Sequence, residues 1–360
     1  MAAQRSDGGL GSRSPAGFRG IRDTVSGCSA LLVIGVLVLQ TAFVLSCVGA
    51  FRDPTAHRVP LAVTAPTTEI ADNAFYRLAL LHGEPVDPRR VADEAAARRQ
   101  IRDREVDGAL LLSPRGGDAD LLLVAGGAGP SLAEELAGRV ATAEERYGRT
   151  VRVQDVVPFA PGDARSVSSF SLVVGWCGGG MLCAWALAFG GGGRQGGARR
   201  TPVAMGVLVL YSVVAGLLGA LVAGPLLHAV PGSFWALWGI GALLVLAVGA
   251  LTFALHELIG VPAVAAALAL LVVVVLGVPS AGGVYATELL PTFWRTIGPA
   301  LPPGAGLDAA RSVAYFGGNG AAGALWTLAA WAAGGVAAAL LCRIPALRAG
   351  APSGRVRRTP

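Results

Sequence analysis

Apolar residues gather along this chain into six runs, at about residues 29–50, 168–189, 203–229, 234–255, 259–279 and 324–342, each free of Asp, Glu and Arg. An apolar run of about 18 or more residues can cross the roughly 30 Å hydrocarbon core of a bilayer as a helix. Between the first and second runs the pattern changes. "VPLAVTAP" (59–66) reads as a buried strand, and "TEIADNAFYRLALLHG" (68–83) as an amphipathic helix ended by Gly83. "VADEAAARRQIRDREVDGALLLSP" (91–114) reads as a helix, a turn at Asp107-Gly108 and a strand, and "ADLLLVAGG" (119–127) as a further strand. "SLAEELAGRVATAEERYG" (131–148) is a helix with Ser131 at its N-cap and Gly148 beyond its end. "RTVRVQDVVPF" (149–159) alternates as a strand does. Strands and helices interleave, so residues 52–166 form a small α/β domain set between the first apolar run and the other five.

Composition agrees with that division. The chain is 53% hydrophobic and 14% charged, with mean hydropathy +0.59; a soluble domain carries about 25% charge. The fold class expected is an α-helical polytopic membrane protein with six transmembrane helices, one before and five after an extracytoplasmic α/β domain. Its parts are an N-tail at 1–27, a first span at 28–51, the α/β domain at 52–166, a five-helix membrane domain at 167–343 and a basic tail at 344–360. The first apolar run is expected to stay in place as a span, because no small-x-small cleavage site follows it cleanly.

Charge sets the orientation. All 29 Lys-or-Arg positions are Arg, which reads as GC-rich coding rather than as a nucleic-acid footprint. Arg5, Arg13, Arg19 and Arg22 lie in the N-tail. Arg194, Arg199 and Arg200 lie in the loop 190–201, and Arg343, Arg348, Arg355, Arg357 and Arg358 in the C-tail, neither of which carries an acid. Arg-rich loops beside spans stay cytoplasmic, and six spans put all three on one side. Both termini are therefore expected in the cytoplasm of a cell-membrane protein, with the α/β domain outside.

Candidate chemistry is sparse. Cys28, Cys47, Cys177, Cys183 and Cys342 all lie in or beside spans, without metal-ligand spacing. No HExxH, GxSxG or P-loop is present, so no catalytic residue, cofactor or metal is expected and the chain is not expected to be an enzyme. "AGGAGPS" (125–131) reads as a strand-to-helix turn. The spans hold no mid-membrane carboxylate, which argues against an ion-driven carrier. Gly216, Ala220 and Gly224 recur every four residues on one face of the third span, a small-residue face that suits close helix packing or a dimer contact.

One segment resists the division. "GGVYATELLPTFWRTIGPALPPGAGLDAARSVAYFGG" (282–318) is too polar and too broken by proline to span, yet it is aromatic and poor in charge. Two short helices, "ELLPTFWRTIG" and "AGLDAARSVAYF", joined at "PALPPG", would make a re-entrant or interfacial hairpin capping the outer mouth of the bundle. Asp308 and Arg311 lie one turn apart, close enough to pair, and Trp294 and Tyr315 suit the headgroup level.

This layout resembles the membrane subunit of type 2 ABC exporters, in particular the YhgE/Pip-like branch. Two segments carry the resemblance. "IRDREVDGALLLSP" looks like that branch's helix–turn–strand. "LIGVPAVAAALALLVVVVLGVPSAGG" followed by the segment above is similar to its C-terminal signature, matched here at Pro279, Gly282, Gly283, Glu288, Pro291, Trp294, Pro299, Pro302, Pro303, Asp308, Arg311 and Tyr315. The resemblance implies a permease that forms a homodimer, or a heterodimer with a related permease. It would be driven by a separate ATPase, since no Walker A motif is present, and would export an amphipathic or lipid-like substrate. Such permeases meet the ATPase through a cytoplasmic helix between the second and third spans. Here that loop is "GGGGRQGGARRT", a poor helix former, in which Arg194, Arg199 and Arg200 are the candidate contacts. The alternative function is a non-transporting membrane scaffold or receptor that acts through its extracytoplasmic domain.

Overall fold

The computed structural model describes residues 27–114, 119–190 and 200–342. Helices dominate, and six of them are long and apolar enough to cross a membrane: Ala30–Phe51, Val167–Gly190, Thr201–Leu226, Phe234–Ile259, Pro262–Ser280 and Ala321–Leu341. The chain is a multi-pass membrane protein with a small mixed sheet.

Helix α1 (Gly27–Phe51) is followed by the sheet domain: β1 (Val59–Thr64), α2 (Thr68–Ala79), β2 (Val86–Arg90), α3 (Glu94–Arg102), β3 (Gly108–Leu111), β4 (Asp120–Val124), α4 (Pro130–Glu145) and β5 (Val151–Asp155). The strand order is β2-β1-β3-β4-β5. Strand β1 runs parallel to β2 and β3, β3 antiparallel to β4, and β4 parallel to β5, with Leu61 opposite Gly108 and Ala109 opposite Leu123. Period-two alternation sorts the strands' side chains to two faces. Leu61, Val63, Leu110 and Leu122 pack on Leu78 of α2 and on Leu132, Leu136 and Val140 of α4. Ala62, Ala109 and Leu123 pack on Ala97 and Ile101 of α3.

Three local readings change. Strand β2, "VDPRR", carries no apolar alternation and was not expected. It lies at the sheet edge, where Pro88 costs no central ladder bond. Helix α2 ends at Ala79, and Gly83 sits in the following turn with φ +85°. Ser131 is inside α4 rather than its cap: Pro130 takes the first helical position, which suits a residue without an N–H. The Ser131 hydroxyl is thereby free to accept the Ala286 N–H at 2.9 Å.

The membrane part comprises α5 (Val167–Gly190), α6 (Arg200–Leu221), α7 (Phe234–Ile259), α8 (Pro262–Leu270), α9 (Thr292–Ile297), α10 (Pro302–Tyr315) and α11 (Ala321–Leu341). Helix α6 runs on through a π-helical stretch, Val222–Leu226, that accommodates Pro225. Helix α8 likewise runs on through Leu271–Gly277 and Val278–Ser280. Helix α7 is the axis of the bundle, packed by α5, α6, α10 and α11. Helix α1 stands at the edge, packed mainly on the α8 extension, where Ser46 Oγ donates to the Val275 carbonyl.

Segment 282–318 is embedded in the fold. A short turn at Thr287–Leu289 precedes α9, and a second at Gly298–Ala300 leads into α10, which takes Pro302 and Pro303 as its first positions. Proline is well placed there, because the first N–H groups of a helix have no intrahelical acceptor. The whole stretch Pro302–Leu307 is buried. The approach is close enough that a Cβ on Gly304 would stand 2.0 Å from the Gly298 carbonyl oxygen. Leu307, Ala309, Ala310 and Val313 join the core of the bundle, whereas Ala286 and Leu289 join one face of the sheet domain and Phe316 the other. One segment is thus built into three apolar clusters.

Candidate functional site

The junction of sheet domain and bundle is held by polar contacts that end on segment 282–318, on Asn319 just beyond it, or on the linker preceding α5. Arg104, just past α3, pairs with Asp308 at 2.7 Å and donates to the Ser312 hydroxyl. Its guanidinium also lies 5.2 Å from the Phe316 ring centroid. Asn319 Nδ2 donates to Asp103 Oδ1 at 2.9 Å, and Thr55 N–H to the Leu289 carbonyl at 3.0 Å. Asp163 is fully buried, and its carboxylate accepts from Ser168 N–H (2.8 Å), Ser169 Oγ (2.9 Å) and Tyr315 Oη (2.6 Å). It therefore caps the start of α5 and ties it to the end of α10. Burial and the bond to Asp163 push the Tyr315 phenol above its ordinary range. The Tyr315 ring fills the space beside Gly127, where a Cβ would come within 2.7 Å of it. The glycine-rich turn at 125–131 is thereby occupied, its Gly126 N–H donating to Asp155 Oδ1 at 3.1 Å.

Asp308 and Arg311 do not pair. Asp308 turns to Arg104, and Arg311 donates from Nε to Ser166 Oγ and from Nη1 to the Gly282 carbonyl, both at 2.9 Å. The two side chains are a turn apart, but the sheet domain supplies Asp308 with a cation at 2.7 Å, and Arg311 is held by two neutral oxygens, one from the linker before α5 and one from Gly282. Arg311 is 6% exposed. Burial lowers its guanidinium to about 10, opposed by Glu288 and Asp308, so it stays charged at neutral pH.

Within this junction lies a cavity of about 420 Å³. The sheet domain lends it Arg104, Asp107, Ala128 and Leu132; the segment lends Glu288, Pro299, Asp308 and Arg311; and Gly323, Ala324 and Thr327 close it from α11. Asp107 and Glu288 make no side-chain hydrogen bond or ion pair among the described residues. Burial pushes the Asp107 carboxyl up to about 7, and the Glu288 charge pushes the same way, against Arg104 and Arg89.

Of the expected hairpin residues, Glu288, Pro299, Asp308 and Arg311 meet in this cavity. Pro302 and Pro303 start α10 below it, the Pro303 ring lying against Gly277. Pro291 precedes α9, and Trp294 stacks edge-on with Phe293 near Gly49 of α1. Tyr315 sits against the sheet domain rather than as a free-standing headgroup anchor. Arg104, Asp107, Asp163 and Ser166 were not singled out as site residues. Arg104 and Asp107 do lie in "IRDREVDGALLLSP", one of the two segments that drew attention, whereas nothing local marks Asp163 or Ser166. On the small-residue face, Gly216 lies against the Ala242 backbone of α7 and Ala220 is buried in the bundle, so the chain's own helix fills those positions; Gly224 faces open space. Arg194 and Arg199 lie outside the described residues, as do both tails; Arg200 opens α6.

No family model matches the chain, and no curated protein matches it.

Proposed function

We propose that this chain is the permease subunit of an exporter, driven by a separate ATPase, that moves an amphipathic substrate outward across the cell membrane. In this reading both termini are cytoplasmic, the sheet domain is extracytoplasmic, and α9–α10 form a re-entrant hairpin that closes the outer mouth. The observation that carries it is the sharing of segment 282–318 between the bundle core and both faces of the sheet domain. A plug built into two bodies moves when either body moves. That is what a gate worked from a distance requires, and backbone at membrane depth is tolerated where protein encloses it. The resemblance of the C-terminal segment to type 2 exporters supports the separate ATPase.

A disulfide lock tests the coupling. A Cβ on Gly129 would lie 3.4 Å from the Ala286 Cβ, close to the spacing of bridged cysteines. The pair Gly129→Cys with Ala286→Cys should, when oxidised, abolish substrate-stimulated ATPase activity in the reconstituted complex, and reductant should restore it. Undiminished stimulation with the bridge formed would exclude gating by this hairpin. If no ATPase accompanies the chain purified from its native membrane, the scaffold or receptor reading takes the place of export.

A further inference from the structure

A second hollow of different character shares a lining residue with the cavity at the junction. An apolar groove of about 530 Å³ runs between α7 and α11, walled by Leu251, Leu255, Leu258, Trp331 and Ala338. Thr327 lines both hollows, and the adjacent turn residues Pro299 and Ala300 line the first and the second respectively. Trp331 braces that turn, its Nε1 donating to the Ala300 carbonyl at 2.8 Å. Along α11, Gly323, Ala324 and Thr327 line the charged cavity, and Thr327, Ala330, Trp331, Gly334, Gly335 and Ala338 line the groove. At 1.5 Å per residue the groove covers about 16 Å of helix, about half of a roughly 30 Å hydrocarbon core. A site with charge at the start of a span and an apolar wall one leaflet deep matches a molecule with a head and a tail.

The charges define the head. Arg104 and Asp308 satisfy each other. What remains is two carboxylates, Asp107 and Glu288, with no cation bonded to either among the described residues, and Arg311, whose Nη2 makes no hydrogen bond there although the side chain is buried. Two like charges facing one cavity repel, and buried charges are ordinarily paired. A primary ammonium answers both carboxylates with three donors, and an anionic oxygen a few bonds further along the same head answers Arg311.

We propose that this composite site binds a membrane amphiphile whose head carries a primary ammonium beside an anionic group, as an aminophospholipid does, with its tail along the α7–α11 groove. The proposal rests on the permease reading for its physiological sense, but binding is measured without transport, so its failure leaves export of another substrate standing. The full chain is reconstituted in phosphatidylcholine vesicles and titrated with brominated-tail phosphatidylethanolamine or brominated-tail phosphatidylglycerol. The site signal is the part of the tryptophan quenching that disappears in Trp331→Phe. Phosphatidylethanolamine should quench at roughly tenfold or more lower mole fraction than phosphatidylglycerol, and Asp107→Asn with Glu288→Gln should erase the difference. Equal quenching by the two lipids in the wild-type protein overturns the proposal without any variant. So does a preference that survives both substitutions, or tryptophan quenching that is unchanged in Trp331→Phe. Dodecylamine should compete with the lipid and ethanolamine should not; competition by ethanolamine alone would remove the tail from the site.

Discussion

Helices α1 and α10 invert the usual relation between hydrophobicity and burial. Helix α1 is almost wholly apolar, yet Leu31, Val33, Val36 and Leu45 are all more than half exposed. Helix α10 carries Asp308, Arg311 and Ser312 among glycines and alanines, and is enclosed along most of its length. In water this would be a misfold. In a bilayer, lipid tails are as apolar as leucine, so a hydrophobic face needs no protein partner. What must be enclosed is the helix with exposed backbone ends, charge and small side chains, because only protein can supply its hydrogen bonds and its close contacts. In the membrane part a strongly hydrophobic helix such as α1 can therefore stand at the lipid-facing edge, whereas a helix with small residues and charge such as α10 is enclosed.

The sharpest way to break this comparison is to add volume to each helix. Gly304→Val places atoms onto the Gly298 carbonyl and should cost about 3 kcal/mol or more, or prevent a monodisperse preparation. Gly35→Val in α1, where a Cβ meets nothing within 4 Å, should change the melt by no more than about 0.5 kcal/mol. Comparable losses in thermal unfolding of the detergent-solubilised protein would refute the contrast.

Removing one hydroxyl from each helix is the next test. Tyr315→Phe takes a donor from the buried Asp163 carboxylate and should cost about 1–3 kcal/mol. Thr41→Val in α1 removes only an exposed side chain's bond to its own helix at Leu37, and its melt should coincide with wild type. Arg104→Met then probes the latch. The pair with Asp308 is partly open to solvent, so the stability loss should be small, about 1 kcal/mol or less. Hydrogen exchange should nevertheless quicken in α3 and α10 together. Quickening in one alone would mean that Arg104 does not couple them.

The pH dependence of stability gives a separate test. Asp107 is pushed up to about 7 from an ordinary carboxyl near 3.8. Around it stand Arg104 and Arg89 from the sheet domain, Glu288 from the segment, and Asp308 and Arg311 from α10. A raised folded value means that the folded protein holds a proton the unfolded chain has released. Below the unfolded value the group contributes nothing. As pH rises from there to about 7 the folded state loses ground, and above that the loss is constant. Asp107→Asn should therefore gain stability relative to wild type between pH 5 and pH 8. A difference independent of pH would show that Asp107 is ionised throughout.

Much of the architecture was legible along the chain. The six long helices lie within a few residues of the apolar runs, since a run long enough to cross a bilayer has few other stable forms. Strands β1, β3 and β4 were legible as short apolar runs beside turn residues, and β5 as an alternating one. Strand β2 was not, because Val-Asp-Pro-Arg-Arg has no apolar period and forms only because β1 offers it an edge. The candidate site was half legible. Glu288, Pro299, Asp308 and Arg311 stand together in an unusual segment that drew attention to itself. Asp308's partner could not be read locally: Arg311 is one turn away in sequence, but Arg104 arrives from a different domain with better geometry.

By itself, then, the sequence determined the elements and their solvent: where the chain is apolar enough for lipid, where it alternates as a sheet, and where Arg gathers. Those are local properties, set by side-chain transfer energies and by the periods of helix and strand. Only the tertiary structure decided that segment 282–318 belongs to both bodies, that Gly216 and Ala220 pack on the chain's own α7, and that two unpaired carboxylates face one cavity beside an apolar groove. The reason is physical. Charges and cavity walls are assembled from elements far apart in sequence, and which partner a buried group meets depends on the packing of every element around it.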